Sequence, residues 1–451
     1  MTSRLISPDS RETIRELTGL AWPVILARLG IMTMGLTDAL VIANWSAKEL
    51  GYHALAWAPH SVMVTTAVGL MLGVQVMTAR ALGEGRPQEA GAVLRRGIVY
   101  ALQIGIASAL ALILFGPWAL TRIGLEDGLG EGARAPLIVF ALSMPAYLVS
   151  VAAQFFLEAL SKPKPGMMAM WIANAINLAL NLVLVPDLLG LNVQGATASA
   201  WATFGARTAL AVFLVLYIVR LPEARALGVF ARPARAHADA VEQRRIGYGG
   251  GASYFIEVGA FAAMTLIAGQ LGVAATGAWA VVLNVASIVF MVPLGLASAT
   301  AVLVGRAYGA RDSAAVLRSG LAGVILIAIL CLLVSVIVWP SATFIVKAYT
   351  REPTLIAIAA PALVLATLFF VADGIQVVAA QALRAAGDVL WPTLMHIFSY
   401  GVVMIPLGWL LAHSLGLGVN GIVLSVVIAS LVSASLLAMR FSSVARRTIP
   451  S

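Results

Sequence analysis

GLMLGVQVMTARALG (69–83) returns 226 residues later as GLASATAVLVGRAYG (295–309). Gly-Leu opens both stretches, and Arg-Ala followed by a glycine closes both. After a three-residue deletion, AVLRRG (92–97) meets AVLRSG (315–320). The spacing of 226 returns at the far end, where LGLNVQGATAS (189–199) meets LGLGVNGIVLS (415–425). Chance matching among Ala-, Leu- and Gly-rich segments would not keep loop arginines and glycines in step. The chain is therefore read as two copies of one unit.

What each copy contains follows from composition. Of 451 residues, 61% are hydrophobic and 11% charged, and the mean hydropathy is +0.96. Those values lie far outside the range of soluble globular domains. Apolar runs of about 20 residues, enough to cross a hydrocarbon core of roughly 30 Å, recur along the whole length. Twelve are predicted, at 19–43, 51–77, 92–116, 133–158, 167–186, 193–220, 246–271, 277–303, 316–340, 355–383, 391–414 and 418–440. None shows the alternating pattern of a membrane β-barrel. The expected fold is an all-α integral membrane protein of twelve transmembrane helices in two pseudo-symmetric six-helix lobes.

Six is an even number, so both halves enter the bilayer from the same side and form parallel repeats about an axis along the membrane normal. The expected parts are an N-terminal segment 1–18, an N-lobe 19–220, a linker 221–245, a C-lobe 246–440 and a tail 441–451. The linker's charge and alanine content fit a short amphipathic helix or a plain tether. Pro23, Pro145, Pro293, Pro361 and Pro406 lie inside the runs and are candidates for bending them.

A net charge of +9 invites a nucleic-acid reading, but the distribution of the cations answers it. With the N-terminus in the cytoplasm, inside segments hold 22 of the 29 Lys and Arg, outside loops hold five, and Arg28 and Arg207 are intramembrane. The positive-inside rule then places both ends in the cytoplasm of a bacterial inner (plasma) membrane, with no polyanionic partner implied. The first eighteen residues lack a secretory core and cleavage site, so the first span is expected to act as an uncleaved signal. The single Cys331 sits mid-run and excludes a disulfide framework.

Three acids interrupt the apolar runs: Asp38, Glu257 and Asp373. A carboxylate near a bilayer centre costs roughly 2.5–3.5 kcal/mol or more and is normally kept for an ion, proton or substrate path. Glu257 is eleven residues beyond Ile246, about 16 Å deep. Asp373 lies at comparable depth in an oppositely running helix, so the pair could hold a cation or share a proton; the bland alternative is that each only fixes packing. Asp38 lies nearer the outer face, with Arg207 as a candidate counter-ion, while Arg28 is expected to snorkel to the inner interface. Offset by 226, the three acids face Met264, Ile31 and Tyr147, so they break the internal symmetry.

Asn174, Asn177 and Asn181 share one face of the fifth helix. Such a stripe fits a water-lined cavity and interhelical hydrogen bonding equally well. Gln376 and Tyr254 lie about one turn from Asp373 and Glu257. Phe255, Phe261, Phe290 and Met291 offer apolar surface, each more simply read as core. There is no P-loop, no HExxH and no run of His or Cys, so any uphill work would need an ion gradient.

The chain resembles the multidrug and toxic compound extrusion (MATE) family, most closely its NorM branch. The residues that carry the resemblance are PVILARLGIMTMGLTD (23–38), ARALGEGRPQEAGAVLRRG (79–97), NAINLALN (174–181), FIEVGAFA (255–262) and ADGIQVVAAQALRAAGD (372–388). Their order, the twelve spans and the half-repeat extend it over residues 15 to 440. The resemblance implies a V-shaped, two-lobed antiporter, with no cofactor, that exports amphipathic and often cationic compounds while H⁺ or Na⁺ enters. It implies that Glu257 and Asp373 form the second-lobe cation site, that Asp38 serves proton coupling and drug binding, and that Asn174 and Asn177 belong to a first-lobe polar network. An aromatic hydroxyl often found one turn before the tenth-helix Asp is Phe369 here; its absence weakens the Na⁺ assignment and leaves H⁺ and Na⁺ both open. Burial disfavours an ionised carboxylate and a nearby cation favours it, so drug and coupling ion would compete for the same charges. Rocking of the lobes would expose a midplane site to each side in turn.

Two other readings stand beside this one. A flippase for a lipid-linked substrate would want a basic cavity for its anionic head group, and only two intramembrane cations are present. A membrane enzyme would want a cluster of His, Asp or Arg at one interface. A two-lobed chain encloses its own path, so a monomer is expected in the bilayer, with small organic cations as its partners.

Overall fold

The computed structural model describes residues 8–122, 128–231 and 237–447. Every long apolar run becomes a helix, because in hydrocarbon only a helix satisfies its own backbone N–H and C=O groups. In chain order they are α1 (Pro8–Trp45), α2 (Ala47–Gly83), α3 (Pro87–Leu120), α4 (Leu129–Leu142 with Met144–Ala159), α5 (Pro163–Leu184) and α6 (Gly195–Val219). The second half repeats the order with α7 (His237–Gln270), α8 (Val273–Gly309), α9 (Ser313–Tyr349), α10 (Pro353–Ala385), α11 (Leu390–Ser414) and α12 (Gly418–Arg447). Among the described residues eleven are long and apolar enough to cross a membrane, and the bent α4 makes twelve. α4 bends by 40° at Ser143, two residues before Pro145.

The helices start and stop where local chemistry dictates. Ser46 and Asp312 accept the backbone N–H of Glu49 and Ala315, capping α2 and α9. Pro163 and Pro353 occupy the first turns of α5 and α10, where a missing N–H is harmless. Left-handed residues end several helices, and they repeat: Gly85 with Arg311, Ser161 with Gly387, Gly190 with Gly416 and Asn192 with Gly418, each pair 226 apart. The hydrogen bonds repeat with them. Arg86 N–H donates to the Ala81 carbonyl at 2.9 Å and Asp312 N–H to that of Ala307 at 3.0 Å; Lys162 donates to Leu157 at 2.8 Å and Asp388 to Leu383 at 2.9 Å. These are the six-to-one bonds of Schellman caps. Arg311 and Ser161 hold the left-handed conformation without being glycine, at roughly 1 kcal/mol or more each.

By contacts the chain divides into two compact units, Leu26–Gly251, and Met1–Ile25 with Ala252–Ser451. The cuts fall inside α1 and inside α7, and they too are 226 apart. In the first unit α2 crosses the opening of α7 with no room for side chains: a Cβ on Gly69 would lie 2.7 Å from the Gly250 carbonyl oxygen. In the second, a Cβ on Gly295 would lie 2.8 Å from the Ile25 backbone nitrogen. Small residues at such crossings let helix backbones approach closely.

Of the two forms open to the linker, its described part takes that of a turn-rich tether. Residues 222–230 form turns, and α7 already begins at His237; residues 232–236 lie outside the described part. The turns are pinned to the first unit, where Gly91 N–H donates to the Leu227 carbonyl at 2.7 Å and Arg95 to that of Val229 at 2.9 Å.

Candidate functional site

In the first unit Asp38 of α1 is 1% exposed. One carboxylate oxygen accepts from the Asn177 amide at 2.9 Å and the Asn181 amide at 2.7 Å, both on α5. The other accepts from the Thr203 hydroxyl of α6 at 2.6 Å. Asn177 also donates to Thr203 at 3.2 Å, so three helices close around one acid. Hydrogen bonds to a charged acceptor are about twice as strong as neutral ones, which offsets part of the desolvation. Asn174 does not join this set; it donates to the backbone carbonyls of Gly30 at 3.0 Å and Met170 at 2.9 Å. The asparagine stripe thus divides into a tie between helices and a carboxylate cradle.

Arg207 interacts electrostatically with Asp38 but makes no direct ion pair with it. Its guanidinium reaches His60 Nε2 at 2.9 Å and the Ser143 hydroxyl at 2.7 Å, and lies 4.6 Å from the Tyr147 ring centroid. A guanidinium only donates, so His60 Nε2 is the acceptor. Asp38, Arg207, Thr203, Trp57, Tyr147 and Met34 line a common cavity in this unit. Arg28 does not snorkel either. It is 7% exposed and pairs with Glu158 at 3.3 Å, whose other oxygen accepts from Gln75 at 2.7 Å. Glu158 is a fourth buried acid, hidden in the sequence because it falls at the very end of an apolar run.

In the second unit Glu257 of α7 and Asp373 of α10 are 7% and 6% exposed, close enough for their charges to interact. Asp373 accepts from Gln376 at 3.2 Å and from the Tyr400 hydroxyl of α11 at 3.2 Å. Tyr400 therefore supplies the phenol that Phe369 cannot. Pro406 explains part of its placement: lacking an N–H, it deprives the preceding turn of an α-helical donor, and Ile397–Met404 is wound as a π-helix. Phe261 meets the Tyr400 ring at 6.5 Å, whereas Phe255 is 56% exposed and faces away from any core.

One turn from Glu257, Ser253 accepts from Arg384 at 2.6 Å; Arg384 also donates to Gln381 at 3.3 Å, and Gln381 to the Tyr254 hydroxyl at 3.3 Å. Arg384, one of the 22 cations that the charge distribution assigns to inside segments, is 1% exposed in the last turn of α10. Among the described residues no three His, Cys, Asp or Glu side chains gather as metal ligands.

Twelve spans, a duplicated frame and acids buried on neutral donors define a polytopic membrane transporter. The MatE family model matches residues 23–183 and 251–410, and the chain belongs to this family of multidrug and toxic compound extrusion transporters. That membership sets aside the enzyme reading. A probable multidrug resistance protein NorM of Caulobacter vibrioides is 56% identical over 426 residues, which cover 94% of this chain and 90% of that protein. A protein of the same name from Bradyrhizobium diazoefficiens is 29% identical, covering 97% of this chain and 94% of its own length. In fold, the crystal structure of the eukaryotic MATE transporter AtDTX14 superposes with a TM-score of 0.89 at 18% identity, over 97% of this chain and 98% of that one. An outward-facing multidrug resistance MATE transporter gives 0.88 at 17%, over 96% and 97%.

Proposed function

We propose that this transporter is a secondary antiporter that exports amphipathic, mostly cationic compounds against inward H⁺ or Na⁺. One observation carries the reading. Asp373 is buried beside a second acid, and its hydrogen-bond donors, Gln376 and Tyr400, are neutral. Neutral donors leave the negative charge in place, so a proton or cation must neutralise it before the site can be occupied at low cost. Asp38, cradled by two amides and a hydroxyl, has the same character in the first unit.

A coupling ion shifts the transport cycle only through different affinity for its states. Loading Glu257 and Asp373 would favour the state that releases drug outside. The setting is a bacterial inner membrane with both termini in the cytoplasm, and the chain acts as a monomer. Efflux of ethidium from vesicles under separately imposed Na⁺ and pH gradients tests this. Asp373→Asn and Glu257→Gln should insert normally and lose gradient-driven efflux. Efflux indifferent to both gradients in the wild type would sink the antiport reading.

A further inference from the structure

Below Asp373, toward the end of the unit where α10 passes into α11, lies a side chain that transport as described leaves without a task. His396 is 2% exposed, and neither ring nitrogen has a hydrogen-bond partner. Such a group is expensive to bury unless it exchanges hydrogen bonds with something mobile. It sits six residues beyond Leu390, about 9 Å in from the helix end. Tyr400, one turn further in, meets the His396 ring edge-on at 5.7 Å between centroids and donates to Asp373. Asp373 itself lies twelve residues before the end of α10, about 18 Å deep. Acid, phenol and imidazole thus descend in order toward one end of the helices.

We propose that His396 relays protons between Asp373 and this end of the unit, and that Arg384 keeps metal cations off the same route. The inference rests on the reading of Asp373 as a coupling group and makes the ion passing through this unit a proton. In the transfer the Asp373 carboxyl gives up one proton, the imidazole takes one on one nitrogen and releases one from the other, and no electron moves. The Arg384 guanidinium, fixed by Ser253 and Gln381, acts electrostatically on both Glu257 and His396. A fixed positive charge repels Na⁺, as charged constrictions do in channels, while an imidazole passes a proton by taking it on one nitrogen and releasing it from the other.

The other titratable groups around this path are few. α7 contributes Tyr254 and Glu257, α9 contributes the buried Cys331 against Gly374 and near Asp373, and α10 contributes Asp373 and Arg384. From α12, Arg440 is held by Asp388 at 2.7 Å and Arg446 is exposed. The device belongs to this half alone. At the same register, 226 residues earlier, stand Met170 for His396 and Glu158 for Arg384.

The test uses the full-length protein in proteoliposomes with ethidium as substrate and trapped pyranine as proton reporter. In His396→Leu, and in His396→Asn should leucine not fold, pH-driven efflux should fall roughly 100-fold. Ethidium-triggered proton movement should disappear, while equilibrium ethidium binding stays at the wild-type Kd. Arg384→Gln should admit a Na⁺ gradient as a driver where the wild type refuses one. Wild-type pH dependence in both His396 variants would overturn the relay with the antiport reading intact. So would a parallel loss of ethidium binding, which marks a purely structural role. A wild type that ignores the pH gradient would overturn relay and proton coupling together.

Discussion

The two halves share four left-handed turn positions and almost none of their buried charge. Gly85 and Arg311, or Ser161 and Gly387, hold the same left-handed cap. Glu158 and Arg384, at one register in α4 and α10, carry opposite charges. In the first half the anion answers Arg28 of α1; in the second the cation answers Ser253 of α7, one turn from Glu257. Backbone geometry was thus inherited by both copies, whereas side-chain chemistry was free to diverge wherever each helix pair could still satisfy its polar groups. The first half keeps its two buried acids apart, Asp38 on amides and a hydroxyl and Glu158 on Arg28 and Gln75; the second confronts two neighbouring acids with a phenol.

Removing the acids would break this contrast most visibly. Asp373→Asn and Glu257→Gln are expected to leave gradient-driven ethidium efflux below about 1% of wild type, measured in vesicles at matched protein levels. Asp38→Asn should act differently, weakening ethidium binding in an equilibrium assay, because its carboxylate lines the first unit's cavity. A smaller effect sharpens the charge inversion. Arg28→Ala should destabilise the protein by about 3–5 kcal/mol, since it strands a buried carboxylate, and Arg28→Ala with Glu158→Gln should recover part of that in thermal unfolding in detergent.

Much of this frame was legible beforehand. Twelve apolar runs, the offset of 226 and three conspicuous acids required only hydropathy and register. Thr203 and Tyr400 were not, because a lone hydroxyl in an apolar helix carries no pattern; its role depends on how the helix is rotated toward another element. Arg384 was misread for a related reason. At the end of a span, an arginine that reaches the interface and one that turns inward to Ser253 look alike. Arg207 was matched to the nearest acid by charge alone, yet the carboxylate of Asp38 was already filled by three donors and the guanidinium fork met His60 and Ser143 instead.

Those missed hydroxyls give the next pair of measurements. Thr203→Val and Tyr400→Phe each remove one hydrogen bond to a carboxylate, Thr203→Val also the acceptor that Thr203 offers Asn177, and each should lower unfolding stability by about 1.5–3 kcal/mol. Equal values would mean that the two acids are equally dependent on their donors; a smaller loss at Tyr400 would mean that Gln376 suffices for Asp373. The least effect belongs to the turns. Ser161→Gly restores the residue found at 387 and should stabilise by no more than about 1 kcal/mol, read as a small rise in Tm.

The paired cuts within α1 and α7 carry an evolutionary consequence. Each compact unit borrows the opening of its leading helix from the opposite copy of the repeat. A single-copy forerunner built this way would have closed only on a second molecule, by exchanging identical arms, as domain-swapped dimers do. Joining two such genes end to end would make the exchange permanent within one polypeptide and leave the copies free to diverge, as the opposite charges of Glu158 and Arg384 show.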